Sequence, residues 1–170
     1  AATWDTFKTD DSDRGFYRDL IAQGGKVLDV GCGTGRLLVP YMKAGIDIEG
    51  VDSAEEMLAI CRERAASEGL APVLYRQPMQ ALDLPQQYTT IIVPGGSFQL
   101  VTGRADALET LRRFHGHLAP RGVVAISLDD PTSELSEEWL GQWRRKGTVT
   151  RPSDGAVLAH DRMVETVDRA

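Results

Sequence analysis

The sequence is poor in several features that would announce a specialised protein. It holds two cysteines, three histidines and 6% aromatic residues among 170, and no long apolar run. Cys32 falls in a glycine-rich turn and Cys61 in a helical stretch, without paired spacing, so no disulfide framework is expected and a reducing compartment is. No segment approaches the ~20 apolar residues of a membrane span. Ala1-Ala2-Thr3-Trp4-Asp5 has no basic stretch leading into an apolar one, so a cytoplasmic location without a membrane partner is expected. Positive charge is also short. Nineteen Lys and Arg face 25 Asp and Glu, a net charge of −6, which disfavours nucleic acid because phosphates call for a basic face. Internal repeats and low-complexity tracts are absent, and no metal is expected.

What is present is a 42% hydrophobic content, enough for one globular domain with a real core. The chain is organised around Val27–Asp52. Two short apolar runs, Val27-Leu28-Asp29-Val30 and Ile46-Asp47-Ile48-Glu49-Gly50-Val51, flank a helical segment, and Gly31, Gly33 and Gly35 stand where the first strand must turn into the helix. This is a βαβ unit with a ligand-binding turn. Glycines let backbone approach a ligand closely, and a helix start offers free N–H groups to negative charge. Asp52 ends the second strand about twenty residues on, where a carboxylate can accept both hydroxyls of a ribose. The spacing is G-x-G-x-G. Arg36 occupies the place of the third glycine of the dinucleotide fingerprint, and together with Asp29 it opposes a nicotinamide-dependent oxidoreductase.

Asp29-Val30-Gly31-Cys32-Gly33-Thr34-Gly35-Arg36, then Gly50-Val51-Asp52-Ser53 and Met57-Leu58, resembles the class I S-adenosylmethionine-dependent methyltransferases, and within them the small-molecule branch. The resemblance covers roughly residues 14 to 130. It implies a Rossmann-like, doubly wound, mostly parallel α/β sheet, S-adenosylmethionine as cofactor, and methyl transfer to an oxygen, nitrogen or carbon of a small molecule. The residues implied at the cofactor are Asp29, Gly31, Cys32, Gly33, Gly35, Arg36, Asp52, Ser53, Met57, Met79, Gln80, Val93 and Pro94. Those implied at the acceptor are Trp4, Tyr17, Ser97, Phe98 and Gln99, with Trp4, Phe7 and Tyr17 forming a lid. Asp129 and Asp130, at the end of the fifth strand, are the candidate proton acceptors, and His160 is the alternative. One departure concerns the adenine loop. Pro78 stands where an acid is usual, and Gln77 or Gln80 is left to replace it. A binding module without turnover therefore remains a second reading.

The rest of the chain supplies the frame. A helix is expected over Ser12–Ala22, with Phe16, Leu20 and Ile21 packed inward. Another is expected over Arg36–Lys43, kinked at Pro40. Ser53 and Glu56 form a capping box for the next, whose buried stripe is Met57, Leu58, Cys61 and Ala65. Strands follow at Val73–Tyr75, Thr89–Val93 and Val123–Leu128, with a helix over Arg104–His117 in which His115 and His117 serve the helix end. Trp139–Lys146 reads as helix and solvated basic surface, and Thr148–Arg151 with Val157–Val167 as a β-hairpin. The expected organisation is one domain over 1–170: lid and helix 1–25, cofactor-binding core 26–130, helix and hairpin 131–170. The closing strands of the fold are missing from this pattern. An edge is left that either a second copy covers, as a homodimer, or more of a longer protein covers, the reading preferred here.

Overall fold

The computed structural model describes residues 12–130, 141–151 and 154–163. The chain divides into two units, one of Ala1 with Asp10–Leu128 and one of Ala2–Thr9 with Asp129–Ala170.

In the first unit, β1 (Val27–Val30), β2 (Ile48–Asp52), β3 (Leu74–Arg76), β4 (Tyr88–Val93) and β5 (Leu118–Ile126) form a parallel sheet in the order β3-β2-β1-β4-β5. The helices are α1 (Ser12–Ile21), α2 (Leu38–Lys43), α3 (Glu55–Ser67) and α4 (Arg104–Gly116). All four residues of β1 are buried, as expected of a central parallel strand covered on both faces. Strand alternation then assigns the faces. Val27, Ile48 and Ile92 pack with Tyr17 and Ile21 of α1, Leu38 and Tyr41 of α2, and Leu58, Cys61 and Ala65 of α3. Leu28, Val30, Val51, Ile91 and Val93 turn the other way onto Phe114 of α4, with Leu82 and Tyr88. Each such side chain contributes ~1.5–3 kcal/mol by leaving water. From β1 the order runs outward to β2 and β3, then returns to β4 and β5 on the other side. The switch point therefore lies between the carboxyl ends of β1 and β4, where open α/β sheets bind ligands.

Several expectations are corrected. Helix α2 begins at Leu38 because the turn that starts at Gly31 continues through Leu37. Pro40 therefore falls in its first turn, where N–H groups have no partner in the helix anyway, and no kink is required. The Ser53–Glu56 capping box does not form. Ala54 is the N-cap residue of α3, and its N–H is held by Asp52 Oδ1 at 2.9 Å. Phe16 is 65% exposed, leaving Tyr17 and Ile21 as the inward pair, four residues apart on one face. Strand β5 starts at Leu118. Pro120-Arg121-Gly122 is an irregularity inside it, with Arg121 at φ 65° and the register moving from Tyr88↔Leu118 to Thr90↔Val123. Among the described residues no strand pairs with the far edge of β5, and Val123 there is 42% exposed.

The amino end of the sheet is tied by a buried polar cluster. Glu49 on β2 accepts hydrogen bonds from Tyr88 at 2.7 Å, Tyr75 at 3.2 Å and Lys26 at 2.9 Å. Burial, then the bond to Glu49, push the Tyr88 hydroxyl far above its ordinary pKa, so it stays a donor.

In the second unit, β6 (Arg144–Thr150) and β7 (Val157–Arg162) form an antiparallel hairpin. Residues 144–146 are thus strand, not the helix expected over Trp139–Lys146. Their extended form is set by pairing across the hairpin, where Arg145 donates two hydrogen bonds to Asp161 at 2.8 and 3.2 Å. Trp143 is exposed beside the exposed basic run. Trp4 and Phe7 lie outside the described residues.

Candidate functional site

The site grows from the turn after β1. Gly31 and Cys32 donate their N–H groups to Val51 O at 2.8 and 3.1 Å, which draws the turn toward the end of β2. There Asp52 holds it from the side: Oδ2 accepts Gly33 N–H at 2.9 Å while Oδ1 accepts Ala54 N–H at 2.9 Å. One carboxylate thereby fixes both the turn and the start of α3. Each oxygen keeps a further lone pair for a ligand hydroxyl.

The glycines differ in what they spare. A Cβ on Gly31 would stand 2.9 Å from Ser97 Oγ, and one on Gly35 2.7 Å from Cys61 Sγ, so these two permit close packing inside the protein. Gly33, at φ 55°, would meet only Gly31 O at 3.9 Å, so its open side is free for a ligand. Ser97 itself donates to Pro94 O at 2.8 Å, tying the loop after β4 against the turn. Val93, the last residue of β4, and Pro94 are buried, Ser97 and Phe98 are half-buried, and Gln99 is exposed.

Asp29, on β1, is 1% exposed and its Oδ1 has no hydrogen-bond partner. Burial pushes its carboxyl up to about 7; Arg36 pulls it down, and Asp52 and Asp13 push it up. A buried acceptor without a partner is costly and fits a cationic ligand group.

Helix α1 is fastened over this turn. Arg36 donates two hydrogen bonds to Asp13, each 2.7 Å, and Tyr41 donates to the Arg14 carbonyl at 2.8 Å. Tyr17, 2% exposed, shares a side-chain hydrogen bond with Ser127 just beyond β5. Burial, then the Asp13 charge, raise the Tyr17 hydroxyl, and the same two causes raise Tyr41 to about 12. The structure thus gathers Tyr17 and Arg36 with Asp29 in one cluster. Asp13 and Tyr41 were missed in the sequence, because no spacing marks a contact between residues 23 or 27 apart.

Other candidates fall around this cluster. Ser53 is exposed, while Met57, Met79 and Gln80 are half-buried on or beside α3 and the turn after β3. The Gln77 side chain is engaged within its own loop: Asp83 N–H donates to Oε1 at 2.8 Å and Nε2 donates to Asp83 O at 3.0 Å. Cys32 and Cys61, unrelated by spacing, are neighbours whose thiols hydrogen-bond to each other. That bond, with burial, pushes the Cys32 thiol well up. His117 has a structural role. Leu84 N–H donates to Nε2 at 2.9 Å, so Nδ1 carries the proton to Arg113 O at 2.8 Å. Asp129 and Asp130 are exposed and begin the second unit.

Comparison with known proteins agrees with this geometry. A family described as a methyltransferase domain matches residues 27–122, more than half of the chain. The ubiquinone biosynthesis O-methyltransferase of Ruegeria pomeroyi is 30% identical over 170 aligned residues, covering 91% of this chain and 67% of that protein. The glycine/sarcosine N-methyltransferase of Halorhodospira halochloris is 31% identical over 126, covering 72% of this chain and 47% of that protein. An S-adenosylmethionine-dependent methyltransferase structure from Clostridium acetobutylicum aligns with a TM-score of 0.75 at 17% identity, over 94% of this chain and 77% of that one, which speaks for the fold. The chain spans about half the length of several curated relatives, 44% in the case of the putative methyltransferase YqeM of Bacillus subtilis, at 26% identity. From the βαβ turn, the switch point between β1 and β4, and the match over residues 27–122, this chain belongs to the methyltransferase-domain family.

Proposed function

We propose that the chain binds S-adenosylmethionine at the carboxyl edge of β1 and β2 and serves methyl transfer to an oxygen, nitrogen or carbon of a small molecule. The observation that carries this is the Asp52 carboxylate, immobilised by Gly33 and Ala54 with lone pairs left for the two ribose hydroxyls. The residues fit the cofactor in two further ways. The open side of Gly33 admits its backbone-facing edge, and the orphaned Asp29 oxygen suits the ammonium of its amino-acid part. Half-buried Met79 lies on the turn after β3, where the adenine is expected, with Gln80 or Gln77 as the side-chain acceptor.

The cofactor supplies an activated sulfonium methyl, so no strong base is needed on the protein. What this chain contributes is position: the loop after β4, up to Gln99, borders the switch point, and α1 is tied to the turn after β1 by Asp13 on Arg36. If the acceptor is a hydroxyl, Asp129 or Asp130 is the proposed proton acceptor. A small-molecule acceptor accords with the names of the O- and N-methyltransferase relatives.

Calorimetric titration with S-adenosylhomocysteine, and separately with NADH, tests the reading. Saturable binding of the first alone, weakened at least tenfold by Asp52→Ala, is expected. Binding of NADH alone would overturn it.

A further inference from the structure

Resting on that reading, we infer that capture of the cofactor's amino-acid end is coupled to release of a proton from Asp29, which makes cofactor affinity dependent on pH around neutrality. The geometry is the starting point. Asp29 lies on the innermost strand, 1% exposed, with Oδ1 lacking any hydrogen-bond partner. An ionised carboxylate in such a place is unfavourable unless a cation meets it, and a neutral carboxylic acid is the stable form until one does.

The groups facing it do not meet that need. Among the described residues, Arg36 from the turn is the cation acting on Asp29, and its guanidinium already has two hydrogen bonds to Asp13 of α1. Asp13 and Asp52, the latter from the end of β2, both oppose ionisation. Tyr17 of α1 and Tyr41 of α2 are neutral phenols held above their ordinary range. The thiols of Cys32 and of Cys61 on α3 are also near, and Asp29 acts on both. Burial therefore prevails and pushes the Asp29 carboxyl up to about 7.

An ammonium brought against Oδ1 reverses the balance. The carboxyl O–H bond breaks, its proton goes to solvent, and the carboxylate accepts an N–H from the ammonium. No electron changes hands. The uptake is thus selective for ligands that carry the amino-acid part, and an adenosine compound without it gains nothing from ionising Asp29.

The test is calorimetry of the full chain in buffers of differing ionisation enthalpy, at about pH 6 and about pH 8, with two probes: S-adenosylhomocysteine, and 5′-methylthioadenosine, which lacks the ammonium. S-adenosylhomocysteine is expected to bind about tenfold more weakly at the lower pH and to release close to one proton there, and close to none at the higher. 5′-Methylthioadenosine is expected to release none at either. Asp29→Asn should abolish both the release and the pH dependence. Should that variant fail to fold, carbon-13 NMR of the wild-type aspartates supplies the second measurement: one carboxyl with a near-neutral midpoint that moves to lower pH on saturation supports the coupling. Binding of S-adenosylhomocysteine without proton release at about pH 6, or an Asp29→Asn variant that releases as much as the wild type, overturns the coupling alone. Failure of both probes to bind overturns the functional reading and the coupling with it.

Discussion

Asp29 occupies a position that a stability-driven core would fill with an apolar side chain. Its neighbours on β1, Val27, Leu28 and Val30, are all apolar and buried, yet here a carboxyl is enclosed with one oxygen unsatisfied. Its folded pKa of about 7 lies above the ordinary 3.8, so the folded chain holds a proton that the unfolded chain gives up. Stability is then greatest below the ordinary value and is lost as pH rises through about 7, by ~4 kcal/mol for this group taken alone. Thermal melting of the ligand-free chain from about pH 5 to about pH 8 is expected to show a falling midpoint, and Asp29→Asn to flatten the slope. A wild-type slope matched by the variant would remove Asp29 from the account. The motif made this residue legible by position. Its lack of a partner was not, since that depends on Arg36 turning to Asp13, a residue 23 places earlier that no local pattern connects to it.

At the scale of the element, the turn from Gly31 to Leu37 separates two uses of glycine. Gly33 faces open space, whereas Gly50 on β2 is enclosed: a Cβ there would stand 2.5 Å from Leu38 Cδ1 and 2.8 Å from Cys32 Sγ. Gly33→Ala is expected to cost roughly 1 kcal/mol, the strain of a left-handed alanine, and to weaken S-adenosylhomocysteine at least tenfold. Gly50→Ala should destabilise by about 1–3 kcal/mol through overpacking, with a smaller effect on affinity per kcal/mol lost. Melting curves and calorimetry on the pair decide it, and equal ratios of stability to affinity loss in both would contradict the distinction. The βαβ unit and its glycines were legible because strand, turn and helix patterns succeed one another without interruption. Boundaries were less so. Ala54, rather than Ser53, is the N-cap of α3 because the Asp52 carboxylate holds the Ala54 N–H while its other oxygen holds Gly33, and Arg144–Lys146 is strand because Asp161, far along the chain, pairs with Arg145. Tertiary partners set both, and neither is local.

At the scale of the whole molecule, the parallel sheet with order β3-β2-β1-β4-β5 has its switch point between the carboxyl ends of β1 and β4, while Glu49, Tyr75, Tyr88 and Lys26 tie the other edge. Ligand binding should therefore stabilise the unit as a body. S-adenosylhomocysteine at about a hundred times its dissociation constant is expected to add ~2.7 kcal/mol, which raises the melting midpoint by roughly 5–10 °C in a chain of this size. No shift under saturating ligand would contradict binding at the folded edge. The fold class was legible from periodicity and glycine placement. The sequence reading ends the cofactor-binding core at residue 130, two residues beyond the boundary between the units at Leu128 and Asp129.

That partition also sorts the chromophores. All four tyrosines, Tyr17, Tyr41, Tyr75 and Tyr88, belong to the first unit, and all three tryptophans, Trp4, Trp139 and Trp143, to the second. Light at the red edge of the absorption band excites indole alone, so emission then reports only on the unit that carries the hairpin, while phenol ultraviolet difference absorbance reports only on the unit that carries the sheet. The wild-type chain is in this sense already labelled in two colours, and a single denaturation series read both ways would reveal whether its two parts melt together or in succession.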